Sequence, residues 1–217
     1  MFGIRAYTKG HGLATIIFGT APLAGSILGA IITTGSASFT VSGGQEGGGN
    51  WQQPNAANGG DNGENVSAFY CIAAGGATTL TCSVTIVEGI VFEIGTTGLT
   101  FVASIINDQP GAVALNTGVL KTPPTFGTGC AFALNVYSGA TVPAYNASAF
   151  VKVDQDSNNE VAEFFFAGDV RGPNQALQMT TSNAPTGQSS RILLFQATDL
   201  TTDPRHRGLA PQQRRVA

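Results

Sequence analysis

The chain has 217 residues, enough for one domain of ordinary size with terminal extensions. It is 42% hydrophobic, which excludes overall disorder, yet only 11% charged, far below the ~25% usual for globular domains. The net charge of −3 hides an asymmetry. Basic residues sit at the two ends, and between Ser38 and Leu200 only Lys121, Lys152, Arg171 and Arg191 offset many more acids, so the middle of the chain is no surface for nucleic acid.

Residues 1–12 are short and basic, with Arg5 and Lys9, and are followed by the uncharged stretch Leu13–Ile32, long enough to cross a bilayer as a helix. Gly35 and Ala37 offer small residues for a cleavage site before Ser38. Residues 1–37 are therefore expected to act as a signal peptide, a signal-anchor or an apolar arm, with membrane contact through Leu13–Ile32. Pro22 and the glycines lower its helicity, so a core element of an assembly is the competing expectation.

Residues 38–66 are rich in Gly and Asn and read as a linker or long surface loop. Its Trp51 is the only tryptophan, expected to fold back onto the domain, the alternative being a stacking residue for a sugar or partner.

Residues 67–200 carry the pattern of a β domain. Ser67–Ala74 and Thr79–Val87 flank Gly75-Gly76-Ala77-Thr78, a hairpin signal that sets Cys71 opposite Cys82 and predicts a disulfide between them, with Cys130 a buried thiol. Unbroken alternation through Val84, Ile86, Glu88 and Ile90 would aim Glu88 into an apolar face, so a turn or bulge is expected at Glu88-Gly89.

Leu99–Ile106 is a strand ended by a turn at Pro110-Gly111, and Ala112–Lys121 a weaker one. Cys130–Tyr137 alternates cleanly. Ala147–Asp154 and Val161–Ala167 form an antiparallel pair in which Phe164, Phe165 and Phe166 demand cover on both faces. Gln175–Thr181 and Arg191–Thr198 complete about eight or nine strands, with no convincing amphipathic helix. The expected fold is all-β, an antiparallel β-sandwich or jelly roll preceded by the N-terminal apolar segment. Residues 201–217 lose periodicity and read as a basic, disordered tail.

Chemistry is sparse. Both histidines, His11 and His206, lie outside the β domain, which removes Ser-His-Asp and Cys-His arrangements within it. Asp154, Asp156, Asn158 and Glu160 place oxygen ligands at every second residue, a pattern a curled loop would offer to Ca²⁺. Asn65-Val66-Ser67 and Asn146-Ala147-Ser148 match the glycosylation acceptor pattern. Glu88, Glu93, Glu160, Glu163 and Asp169 are the acids open to two-carboxylate glycoside hydrolysis.

The expectation is a non-catalytic structural or assembly protein on a cell surface, extracellular filament or virion, partnered by copies of itself or neighbouring subunits. The alternative is an exported carbohydrate- or ligand-binding module, Ca²⁺-dependent through residues 154–160.

Overall fold

A computed structural model describes residues 2–36, 38–43, 51–54, 65–76, 79–112, 118–138, 145–146, 149–157, 161–181 and 186–198. Among them every regular element is a strand, and every pairing is antiparallel.

The first sheet holds β1 (Ile4–Gly10), β2 (Leu13–Ile17), β3 (Ser26–Thr34), β4 (Val41–Gly43), β5 (Asn65–Ile72) and β6 (Thr79–Thr97). The long β6 is its spine. β1 and then β2 run along one side of it, β3 and then β4 along the other, and β5 lies outside β3.

The second sheet comes from β7 (Leu99–Ala112), β9 (Thr128–Ser138), β11 (Val151–Ser157), β12 (Val161–Arg171) and β15 (Thr186–Ala197), in the order β11-β12-β9-β15-β7. Two small ladders join β8 (Leu120–Lys121) to β13 (Ala176–Leu177), and β10 (Tyr145–Asn146) to β14 (Thr180–Thr181). The chain passes between the large sheets at Gly98, whose φ of 73° suits a residue without a Cβ. Its carbonyl accepts hydrogen bonds from both the backbone N–H and the hydroxyl of Thr198, at 2.8 and 2.7 Å.

The two sheets share a core. Ile27, Ile31, Ile90 and Phe92 from the first meet Phe132, Leu134, Phe164 and Phe195 from the second, and the Phe92 and Phe132 rings stack with centroids 3.7 Å apart. A second core covers the other face of the first sheet, joining Leu28, Ala30, Ile32, Phe69, Leu80 and Ile86 to Ile16, Phe18, Phe39 and the half-buried Trp51. Trp51 thus folds back as expected. A third core, with Ala131, Ala133, Phe165, Ile192 and Leu194, backs the second sheet.

The alternation of β9 is borne out: Cys130, Phe132, Leu134 and Val136 face the shared core while Ala131 and Ala133 face outward to the third. So is the cover on both faces of the Phe164–Phe166 run.

Leu13–Ile32 differs from the reading of it as a span-length helix. It forms β2 and β3, separated by a loop containing Pro22 and Gly25. β3 is buried along its whole length, with Ile27 and Ile31 in one core and Leu28, Ala30 and Ile32 in another. A strand covered on both faces reads as an unbroken apolar run, and its β-branched Ile and Thr residues suit a strand. Among the described residues no helix is long and apolar enough to cross a membrane.

The expected disulfide is corrected. β3 lies between β5 and β6, so Cys71 pairs with Leu28 and Cys82 with Val41, and both thiols are free and buried. The hairpin rule fails because a strand from earlier in the chain takes the place beside β6. Near Glu88 the register of β3 against β6 shifts, Ile32 pairing with Gly89 and Thr34 with Ile86, so the irregularity falls where a bulge was expected. The turn expected at Pro110-Gly111 is instead a register shift within β7, where Gln109 pairs with Gln188 and Ala112 with Thr186. β7 is an edge strand, which tolerates a proline.

Candidate functional site

β1 and β11 are each an edge strand, one of the first sheet and one of the second, and a groove opens between them. It encloses about 790 Å³ and is lined by Phe2, Ile4 and Ala6 from one sheet and Ala149, Val151, Val153 and Phe166 from the other. Arg5, Tyr7, Asp169 and Gln175 bring polar groups to it.

β1 does not keep one alternation along this wall: its register on β6 shifts between Ile4 and Ala6, so Ile4 packs against the shared core and Ala6 against the second, while Tyr7 and Lys9 reach Asp154 across the groove. At one end the Phe2 N–H donates to the Gly168 carbonyl at 2.8 Å, joining the sheets directly. At the other, Lys9 Nζ donates to the Gln155 carbonyl at 2.7 Å and lies 3.2 Å from Asp154. β1 and β11 therefore run in the same direction along the two walls.

Asp154 closes the Lys9 end electrostatically. Its burial favours the protonated form, but the Gln155 backbone N–H at 2.7 Å, Lys9 and Tyr7 outweigh that and hold the carboxyl below its ordinary range. Burial, with Asp154 beside it, pushes the Tyr7 hydroxyl up. Because the folded-state value is depressed, the stabilisation from Asp154 is present above the ordinary carboxylate pKa of about 4 and is lost as pH falls through the folded value. Acidification from pH 6 to pH 2 is expected to lower the hydrogen-exchange protection factors, taken relative to intrinsic exchange at each pH, in β1 and β11 around Lys9 and Asp154 before the cores open. Unchanged protection there over that range would count against this contact as the closure.

The proposed Ca²⁺ ligands fare unevenly. Asp154 and Asp156 lie in β11, paired with Phe164 and Ala162 of β12, and the Asp154 carboxylate is engaged by Lys9 and Tyr7. Asn158 and Glu160 lie outside the described residues. Among the described residues no group of three or more His, Cys, Asp or Glu side chains is placed to hold a metal.

The described acids considered for hydrolysis are each engaged in contacts of their own. Buried Glu88 accepts from the Thr33 hydroxyl at 3.0 Å. Buried Glu93 accepts from the Ser26 hydroxyl at 2.9 Å and the Leu23 N–H at 2.8 Å, and pairs with Arg5. Glu163 pairs with Lys152, and beside it Tyr137 is pushed up to about 12 by burial and by that acid. Asp169 pairs with Arg171 at 2.6 Å and, of the described acids, is the one that lines the groove. Glu160 lies outside the described residues. Burial pushes the Cys71 thiol up to about 12 and raises Cys82 and Cys130 too, so none is a ready nucleophile.

Sequence reasoning missed the whole β1 wall, because Arg5 and Lys9 read as a basic flank. No simple alternation signals it, because the register shift between Ile4 and Ala6 lets Ile4, Tyr7 and Lys9, paired with Ile94, Phe92 and Ile90, share the face toward the second sheet. It also missed Arg191, which is 2% exposed. Its guanidinium donates to Asp108 at 2.6 Å and, across the sheets, to the Val66 carbonyl of β5 at 2.9 Å. Burial pulls Arg191 below its ordinary pKa, and Asp108 opposes the shift. No protein family, curated protein or solved structure matches this chain.

Proposed function

We propose that this chain is a non-catalytic β-sandwich subunit, of jelly-roll type, that builds an assembly on a cell surface, extracellular filament or virion. The observation that carries the reading is the apolar groove walled by two parallel sheet edges. An edge strand offers backbone donors and acceptors at a two-residue period, and an apolar floor offers seats for alternate side chains. An extended segment of a neighbouring subunit supplies both complements, as in strand addition. The low charge and the acids tied up in structural pairs agree with a packing role.

A second reading has the same groove holding an elongated apolar small molecule, favoured by a volume within the ~300–1,000 Å³ of ligand sites. One experiment separates them. Val151 is 72% exposed at the groove, so a photo-crosslinking residue there leaves the cores intact. Irradiation is expected to give covalent dimers and higher multiples. A compact monomer at every concentration, without intermolecular cross-links, overturns the assembly reading. If that monomer releases a co-purified apolar molecule on denaturation, the second reading takes its place.

A further inference from the structure

We propose that β2 is a self-pairing strand: two copies of the chain join antiparallel along their β2 edges, about a two-fold axis at Thr15. This deepens the assembly reading, on which it rests, by naming an interface and its occupant.

β2 pairs with β6 on one side, and among the described residues no strand pairs with its other side. Edge strands are normally guarded by charge, proline or a covering element. This one is LATII, and no Lys, Arg, Asp or Glu occurs from His11 to Ser36. Ile16 faces the second core, whereas Ile17 is 69% exposed on the other face of the strand and Leu13, set off from Thr15 by a register shift, is 60% exposed. An edge of this kind carries two demands, partners for its backbone groups and cover for two large apolar side chains. A lipid chain meets only the second, while another strand meets both.

The second copy is singled out because the segment is complementary to itself. With Thr15 opposite Thr15, Leu13 of each copy faces Ile17 of the other, and Ala14 faces Ile16. Threonine pairs and apolar pairs directly opposite are both favourable in antiparallel sheets. Charge fixes the register. Sliding the copies until the β1 strands pair about Tyr7 would set Arg5 opposite Lys9 twice, bringing like charges together. β1 is moreover tied at its ends to Gly168 and Asp154, whereas β2 has no such ties. The interface is isologous and closes on itself. Five paired residues make it small, so dimerisation is concentration-dependent.

Opposed Cα atoms in antiparallel strands lie about 4.5–5.5 Å apart, within the range a disulfide bridges. Thr15→Cys is therefore expected to give a disulfide-linked dimer on mild oxidation, while the buried native thiols stay out of the reaction. Tyr7→Cys marks the β1–β1 register and is expected to remain unlinked. Ile17→Lys, at an exposed position, is expected to raise the concentration needed for dimer by tenfold or more in light scattering, with an unchanged circular dichroism spectrum. Linkage through Tyr7→Cys and not Thr15→Cys overturns the interface. So do oligomers that persist, unlinked at Thr15→Cys and unaffected by Ile17→Lys, and these leave the assembly reading standing. A monomer at all concentrations overturns both.

Discussion

Arg191→Met is expected to destabilise the fold by about 3–5 kcal/mol, read as a lowered midpoint of urea unfolding. Arg191 lies in β15, and one of its nitrogens donates to Asp108, to the Ser189 hydroxyl at 3.0 Å and to the Ser190 carbonyl at 2.9 Å. The other reaches the Val66 carbonyl in the opposite sheet. Methionine fills similar space but donates nothing, so it leaves a buried carbonyl on one sheet and removes the cation that balances Asp108 on the other. Removing one partner of such a network costs more than the pair contributes over an apolar replacement. Asp108 is 28% exposed at its side chain, so water compensates it in part, and Asp108→Asn is expected to cost clearly less. Equal effects of the two substitutions would show that the link to Val66 contributes little.

Gly29→Ala is expected to cost about 3 kcal/mol, the upper part of the range for overpacking a core. Gly29 sits mid-strand in β3, opposite Phe92 on one side and Tyr70 on the other. The Cζ end of the Phe92 ring lies over it, and an added Cβ would come 2.0 Å from Cζ and 2.5–2.6 Å from its neighbours. The ring has nowhere to swing, because one of its faces is stacked on Phe132. Leucine at position 92 removes the colliding edge, so Gly29→Ala with Phe92→Leu should cost less than the sum of the two changes. A strictly additive pair would mean the strain arises elsewhere. The glycine therefore sets how closely the first sheet's aromatic side chain meets the second sheet.

The elements legible in the sequence were those whose signal is local. The alternation in Cys130–Tyr137 gave both the strand and its faces, and the misplaced carboxylate at Glu88 gave the irregularity in β6. What was not legible depends on neighbours that the sequence does not list. β3 looks like a bilayer span because both its faces are buried, which removes the polar half of the alternation. The Cys71–Cys82 pairing assumed that consecutive strands lie side by side, and β3 intrudes between them. Pro110-Gly111 is an ordinary turn signal, but the long β15 beside it keeps β7 extended through a bulge. The groove has half its wall from residues 2–7 and half from residues 149–169, so neither stretch alone indicates a site.

The hydrogen bond from the Phe2 N–H to Gly168 has a consequence for synthesis. β1 must wait for β6, and the junction beside it must wait for β12, while the tie between Arg191 and Val66 waits for the last strand. Contacts so distant along the chain bear their full loop-closure cost before any of them is rewarded, which places folding in the slow, millisecond-to-second class. All six strands of the first sheet lie within residues 4–97, so that sheet can form before the strands of the second have been synthesised. Until the second sheet docks, the apolar face that β3 turns toward it, with Ile27 and Ile31, stays open to whatever meets it first, whether chaperone, translocation channel or another copy.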